Sequence, residues 1–217
     1  MESIGILGST GPLGRGLAAR WSRAGRDVHL GSRKEERAVE ARDGLVEKGA
    51  PAERLHVGDN LQVATAADVV IVSVPFEGQA PALPALADAL SGKVVCTAVV
   101  PLGFDGDGPY LQEVEEGSAA HQCQALLPGA RLVAGFHAVS SKRLRAVDEP
   151  VDADAMLCSD DEEAMELIAG LASEIPGLRG LPVGPLRLAP QLEGQTAVVL
   201  SYNKRNKVEA GLRLVEG

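Results

Sequence analysis

The chain has 217 residues, of which 45% are apolar, and carries 21 Lys and Arg residues against 30 Asp and Glu residues. This length allows one or two compact domains. The net charge of −9 argues against a general nucleic-acid binder, which needs a basic face to neutralise phosphates. Only 3% of the residues are aromatic, whereas glycine occurs 25 times and proline 13 times. The composition therefore predicts an aliphatic core with frequent tight turns, as in an α/β protein.

The negative charge is concentrated in the last two thirds of the chain. Residues 1–60 carry 10 basic and 9 acidic groups, residues 61–140 carry 2 and 8, and residues 141–217 carry 9 and 13. The first 60 residues are thus close to neutral and can still hold an anionic ligand.

Cysteine usage and the apolar runs indicate the compartment. Cys96, Cys123 and Cys158 fit neither a zinc spacing nor a disulfide framework, so we interpret them as reduced thiols and expect no metal. The first strand-like segment begins almost at Met1, which leaves no room for a signal segment and favours a cytoplasmic protein. The longest apolar run, 69–76, is far shorter than the roughly 20 residues that span a bilayer, so no membrane partner is expected.

Short β-branched segments alternate with longer helical patterns. Strands are predicted at 3–7, 27–31, 69–74, 93–99, 131–136 and 153–158. Helices are predicted at 13–24, 34–48, from about 160 to 174, at 191–202 and at 204–215, with a loop rich in glycine and proline at 176–190. The strands are nearly all apolar instead of alternating, which is typical of a parallel sheet covered by helices on both faces.

Residues 4–14 combine a strand, a glycine-rich turn and the start of a helix, in that order. Gly8 permits the tight turn, Gly11 lets the backbone approach a pyrophosphate, and Gly14 lets helix and strand pack closely. Ser9 stands where the commoner pattern has another glycine. The segment predicts a dinucleotide site in a Rossmann-type, doubly wound, mostly parallel sheet.

The end of the next strand selects the cofactor. Arg33 lies 19 residues beyond Gly14, where an NAD enzyme usually has an acidic residue for the ribose hydroxyls. Ser32, Arg33 and Arg37 instead offer a hydroxyl and two guanidinium groups, which suit the 2′-phosphate of NADP. We interpret Lys34 as a solvated surface charge.

Two further strands end in proline-containing segments, Val74-Pro75-Phe76-Glu77 and Val99-Val100-Pro101. In a doubly wound sheet these ends open into the ligand crevice, and prolines there remove backbone donors. We expect them to form a dry wall for the nicotinamide.

Together, the glycine turn, Ser32-Arg33 with Arg37, the two proline segments and Phe136-His137-Ala138 resemble the NADPH:F420 oxidoreductase family. The resemblance extends over almost the whole chain. It implies a Rossmann-fold enzyme that passes a hydride between NADP(H) and the deazaflavin coenzyme F420, and a homo-oligomer, with a dimer favoured.

The resemblance also assigns residues to the two cofactors. It implies that Thr10, Gly11, Pro12 and Leu13 hold the pyrophosphate, while Val74, Pro75, Val100 and Pro101 line the nicotinamide side, with Val139 also contacting a cofactor. His137 would lie near the deazaflavin in an orienting or electrostatic role, without acid–base work. Two basic clusters could receive the acidic F420 tail. Lys142, Arg143 and Arg145 are favoured because they follow His137, and Lys204, Arg205 and Lys207 are the alternative.

We therefore expect an NADP-binding core at 1–140 and a short, largely helical extension at 141–217 that packs on the core and on a partner subunit. Two alternatives remain open. One is an NADP-dependent reductase of a small imine, keto or hydroxy acid, and the other is a non-catalytic NADP-sensing regulator.

Overall fold

The computed structural model describes residues 2–215 and contains one eight-stranded sheet, flanking helices and a two-stranded hairpin. The strands are β1 (Ile4–Leu7), β2 (Val28–Ser32), β3 (Leu55–Asp59), β4 (Val69–Val72), β5 (Val94–Thr97), β6 (Leu102–Phe104), β7 (Pro109–Leu111), β8 (Arg131–Gly135), β9 (Ala153–Cys158) and β10 (Leu178–Gly184). The helices are α1 (Pro12–Arg23), α2 (Glu35–Val46), α3 (Asn60–Ala66), α4 (Phe76–Ala82), α5 (Ala87–Leu90), α6 (Ala119–Leu126), α7 (Ser141–Arg145), α8 (Glu162–Ser173) and α9 (Ala189–Asn206).

The large sheet has the strand order β10-β9-β8-β5-β4-β1-β2-β3 and is parallel except between β8 and β9. The predicted α/β class and mostly parallel sheet are confirmed. Leu7 of β1 lies between Gly31 of β2 and Val72 of β4, so these three strands end at one edge. The strand order reverses there, which is where open α/β sheets bind ligands.

Alternating side chains of the central strands form a core on each face of the sheet. Ile4 and Ile6 pack on one face and Leu7 on the other, and Val69 and Val70 divide in the same way. Burial on both faces explains why these strands are continuously apolar.

Arg20 joins α1 to the segment that follows the core. Its side chain is buried and its guanidinium donates to five carbonyl groups, those of Arg143, Leu144, Ala146, Val147 and Glu149. A buried cation needs such partners, and burial lowers the pKa of Arg20 from its ordinary value. One side chain thereby fixes α7 and the turn after it on the back of α1.

Two predictions for the C-terminal third are wrong. The predicted loop at 176–190 contains β10, which pairs in parallel with β9 although it includes Gly180 and Pro182. The predicted helix at 204–215 is absent from the described residues, because α9 ends at Asn206 and Lys207 takes a left-handed backbone conformation with φ 55°. The chain then runs beside β9, where the Leu212 carbonyl accepts from the Asp154 N–H at 2.8 Å.

Candidate functional site

The glycine turn is formed by close contact with the end of β4. Gly8 has a φ of 83°, and a Cβ placed on it would lie 2.9 Å from the Ser73 carbonyl oxygen. The Gly11 N–H donates to the Gly8 carbonyl at 3.0 Å, and α1 begins directly afterwards at Pro12. The first backbone N–H groups of a helix have no internal acceptor, so this turn offers donors to an anion.

Three residues of the predicted motif support the turn from within. Ser9 is buried, and its hydroxyl donates to the Gly31 carbonyl at 2.9 Å. A Cβ on Gly14 would lie 2.9 Å from the Gly8 carbonyl oxygen, which agrees with the close packing predicted for it. Leu13 packs against the core. These residues hold the turn in shape, while Thr10, Gly11 and Pro12 line the cleft above it.

An open cleft of about 950 Å³ lies along this edge of the sheet. Its walls come from the glycine turn, the end of β2 with the start of α2, the start of α3, and the segment after β4 together with α4. The lining residues are Gly8, Thr10, Gly11, Pro12, Ser32, Arg33, Lys34, Arg37, Asn60, Ser73, Val74, Pro75, Glu77, Gly78, Pro81 and Ala82. Nine of the predicted cofactor residues are thus brought to one cleft.

One end of the cleft is strongly basic. Arg33 and Arg37 are exposed there, and neither forms an ion pair with a carboxylate within residues 2–215. Lys34, which the sequence pattern assigned to solvent, lines the same end, and its N–H approaches the Ser32 hydroxyl oxygen at 3.4 Å. Three cations and a hydroxyl suit a dianionic phosphate.

Asn60 is a site residue that the sequence analysis missed. It is the first residue of α3 and lines the cleft, and its side-chain oxygen is buried without a hydrogen-bond partner among the described residues. A buried acceptor of this kind calls for a donor. The sequence does carry a local signal, because Asp59 and Gln62 form a capping box that starts α3 at Asn60.

His137 follows β8 and is only 8% exposed. Neither ring nitrogen has a hydrogen-bond partner in the described part of the chain. Burial lowers the pKa of His137 to about 4, so the ring is neutral at pH 7. The preceding residue, Phe136, has a φ of 64°, an uncommon conformation for a residue with a side chain.

The cleft does not gather every predicted residue. His137 and Val139 border a separate cavity of about 10 Å³, roughly the size of one water, together with Asp154, Leu192 and Gln195. Val100 and Pro101 lie between β5 and the hairpin, where the Pro101 carbonyl accepts from the Gln112 N–H at 2.7 Å.

The two basic clusters differ in their engagement. The Arg143 guanidinium donates to the Glu209 carbonyl at 2.8 Å and to the Val151 carbonyl at 3.2 Å, so it holds the C-terminal segment. Arg145 donates to the Ser141 carbonyl within its own helix. The side chains of four cations are exposed: Lys142, Lys204, Arg205 and Lys207. Only the second cluster therefore keeps all of its cations facing solvent.

No group of three or more His, Cys, Asp or Glu side chains in the described chain is placed to hold a metal ion. No helix between residues 2 and 215 is both long and apolar enough to cross a membrane.

The chain is similar in sequence to known enzymes that use NADP and coenzyme F420. Residues 3–101 match the family model described as NADP oxidoreductase coenzyme F420-dependent. The F420-dependent NADP reductase of Methanothermobacter thermautotrophicus is 36% identical over 217 residues, which covers 97% of this chain and 94% of that protein. The enzyme of the same description from Methanocaldococcus jannaschii is 34% identical over 218 residues, with 97% of each chain covered.

Solved structures show the same fold. A protein from Arthrobacter sp. FB24, provisionally described as an F420 dependent NADP-reductase, superimposes with a TM-score of 0.84 at 21% identity, with 100% of both chains covered. A reductive aminase from Aspergillus terreus, solved with NADPH, gives a TM-score of 0.63 at 17% identity, covering 95% of this chain and 63% of that one. At these identities the likeness concerns the fold alone.

Proposed function

The chain belongs to the family of F420-dependent NADP reductases, and from this premise we propose how it transfers a hydride between NADP(H) and F420. The observation that carries the proposal is the combination of similarity along nearly the whole chain with a cleft that is basic at one end and apolar along Val74 and Pro75. NADP(H) would lie in this cleft, with the nicotinamide directed toward the proline segments and F420 beyond it.

The residues of the cleft fit NADP(H). Thr10, Gly11 and Pro12 would hold the pyrophosphate at the start of α1. Ser32, Arg33 and Arg37, with Lys34 beside them, would hold the 2′-phosphate. The unpartnered oxygen of Asn60 would accept a hydrogen bond from a hydroxyl of the adenosine ribose.

The F420 side depends on residues after β5 and β8. NADP(H) and F420 supply the hydride donor and acceptor themselves, so the protein needs only to bind, orient and dry the pair. Val100 and Pro101 would exclude water beside the nicotinamide, and Val139 would contact a cofactor from the segment after β8. His137 would lie behind the F420 site in an orienting role as a neutral group, because its ring nitrogens are buried beside a cavity no larger than one water.

The acidic F420 tail would be received by Lys204, Arg205 and Lys207, because Arg143 of the other cluster is occupied by backbone carbonyls. All proposed partners of this site are small molecules, and nucleic acid is not among them. We assign the protein to the cytoplasm, since its cysteines are free and buried, as is usual in reducing compartments. Residues 1–140 would act as the nucleotide-binding core and 141–217 as the part that completes the F420 side.

The direct test supplies the purified protein with NADPH and, in separate reactions, with oxidised F420, FMN and FAD. We expect rapid oxidation of NADPH with F420 and little with either flavin. Oxidation with flavins only would refute the F420 assignment. Oxidation with small imines or keto acids but not with F420 would favour the alternative reductase, and NADPH binding without any turnover would favour a sensing regulator.

Arg33→Ala tests the 2′-phosphate site. Losing a charge-assisted hydrogen bond should weaken NADPH binding about 5- to 150-fold, while NADH binding stays unchanged. The matched control is Arg42→Ala, because Arg42 lies on α2, which follows Arg33 in the chain, but pairs with Asp43 outside the cleft. Equal weakening of NADPH and NADH in a titration of ligand-induced fluorescence would contradict the assigned role.

A homodimer through α9 completes the proposal. Val198 and Tyr202 are 66% and 54% exposed on α9, beside a hairpin that exposes Phe104 (69%) and Tyr110 (45%). Two copies with antiparallel α9 helices would cover this apolar face.

Val198→Glu tests this interface by placing a charge in the apolar face. Light scattering should give twice the chain mass of 22.5 kDa for the unchanged protein and a single chain mass for the variant. Leu61→Glu, at an exposed apolar position of α3, is the control and should remain dimeric. A monomeric unchanged protein, or a dimeric Val198→Glu, would contradict the proposed interface.

A further inference from the structure

Glu193 is a buried carboxylate of α9 that the hydride transfer itself does not use. It is 0% exposed, and its oxygens accept from the backbone N–H groups of Ala119 at 3.1 Å and Ala120 at 3.0 Å. These groups begin α6, where they have no acceptor within the helix and where the helix dipole favours negative charge. Glu193 therefore completes the start of a helix that lies 74 residues away in sequence.

The start of α6 is also joined to the wall of the cleft. Gln79 of α4 is 0% exposed, and its side-chain nitrogen donates to the Ala119 carbonyl at 2.9 Å. Other residues of α4 line the cleft. Ala119 thus connects two helices, since its N–H contacts Glu193 of α9 and its carbonyl contacts Gln79 of α4.

One turn beyond Glu193, α9 contacts the loop at residues 136–140, called the His137 loop below. The Thr196 hydroxyl, about one turn further along the helix, donates to the His137 carbonyl at 2.9 Å. Leu192 and Gln195 border the small cavity beside the His137 ring. Any displacement of this part of α9 would be transmitted to the loop.

We propose that Glu193 is a positioning residue for F420, which fixes the His137 loop relative to the cleft wall by joining α9 to α4 at the start of α6. The proposal rests on the assignment of the His137 loop to the F420 side. The basic end of the cleft, formed by β2 and α2, shares none of these contacts, so the proposed 2′-phosphate contacts of NADPH do not depend on Glu193.

The link that Glu193 forms between α9 and the start of α6, called the clamp below, is sensitive to pH near neutrality. Burial raises the pKa of Glu193 to about 7, although both N–H groups of α6 and the Ser118 hydroxyl oppose the rise. Three other polar groups pack near Glu193 and the start of α6. Gln79 is neutral, the His121 ring is hydrogen-bonded to the Ser118 hydroxyl, and burial raises the pKa of the Cys158 thiol of β9 to about 12. Below pH 7 Glu193 gains a proton, so its bonds to α6 lose their charge assistance.

Glu193→Gln keeps the size of the side chain but leaves one acceptor oxygen for two N–H groups. At pH 8 we expect the KM for F420 to rise about tenfold, with the Kd for NADPH within about twofold. In the unchanged protein kcat/KM for F420 should fall below pH 7, and this limb should disappear in the variant. Glu166→Gln, at an exposed position of α8, is the matched control and should alter none of these values.

Amide hydrogen exchange of the unliganded protein gives a readout that is independent of activity. Glu193→Gln should accelerate exchange at 119–126 and 136–140 above the rest of the chain, and Thr196→Val should accelerate 136–140 alone. We also expect Thr196→Val to raise the KM for F420. This second variant keeps the proposal testable if Glu193→Gln does not fold. Unchanged exchange and unchanged KM in both variants would overturn the clamp. Accelerated exchange in a protein that does not reduce F420 would overturn the F420 role and the proposed function, while leaving the structural clamp intact.

Discussion

The cleft depends on the close approach of the glycine turn to the end of β4. Only a residue without a Cβ fits at Gly8, because its φ is 83° and a Cβ added there would lie 2.9 Å from the Ser73 carbonyl oxygen. This contact places the start of α1 between the ends of β2 and β4. The phosphate donors, the basic residues after β2 and the apolar wall after β4 then share a single cleft.

The two ends of the cleft are stabilised in different ways. The nucleotide end is built from consecutive elements, β1 through α3, whose contacts are mostly local. The proposed F420 end relies on side chains that reach across the chain: Arg20 to the carbonyl groups around α7, Glu193 to the start of α6, and Thr196 to the His137 loop. Each supplies a hydrogen-bond partner to backbone groups of a segment that is distant in sequence. This end is therefore the more sensitive to single substitutions.

The sequence predicted the nucleotide end because its signals are local. The glycine spacing, the acid-free end of β2 and the proline segments each lie within a few residues, and nine of the predicted residues line the cleft. The C-terminal third was harder to predict. β10 contains glycine and proline and is stabilised by pairing with β9, while the segment after Lys207 is held by Asp154 and Arg179. Such contacts join residues far apart in sequence, so no local pattern reports them. For the same reason, no local pattern in the sequence indicates the burial of His137 or the contacts of Glu193 with α6.

The central claim is direct hydride transfer between the two cofactors, and isotope transfer tests it most directly. NADPH carrying deuterium on one or the other face of the nicotinamide C4 is mixed with the enzyme and oxidised F420. The mass of the reduced F420 is then measured by mass spectrometry. We predict that one of the two labelled forms delivers its deuterium to F420 and the other does not. Reduced F420 without deuterium from either form would contradict direct transfer in this cleft.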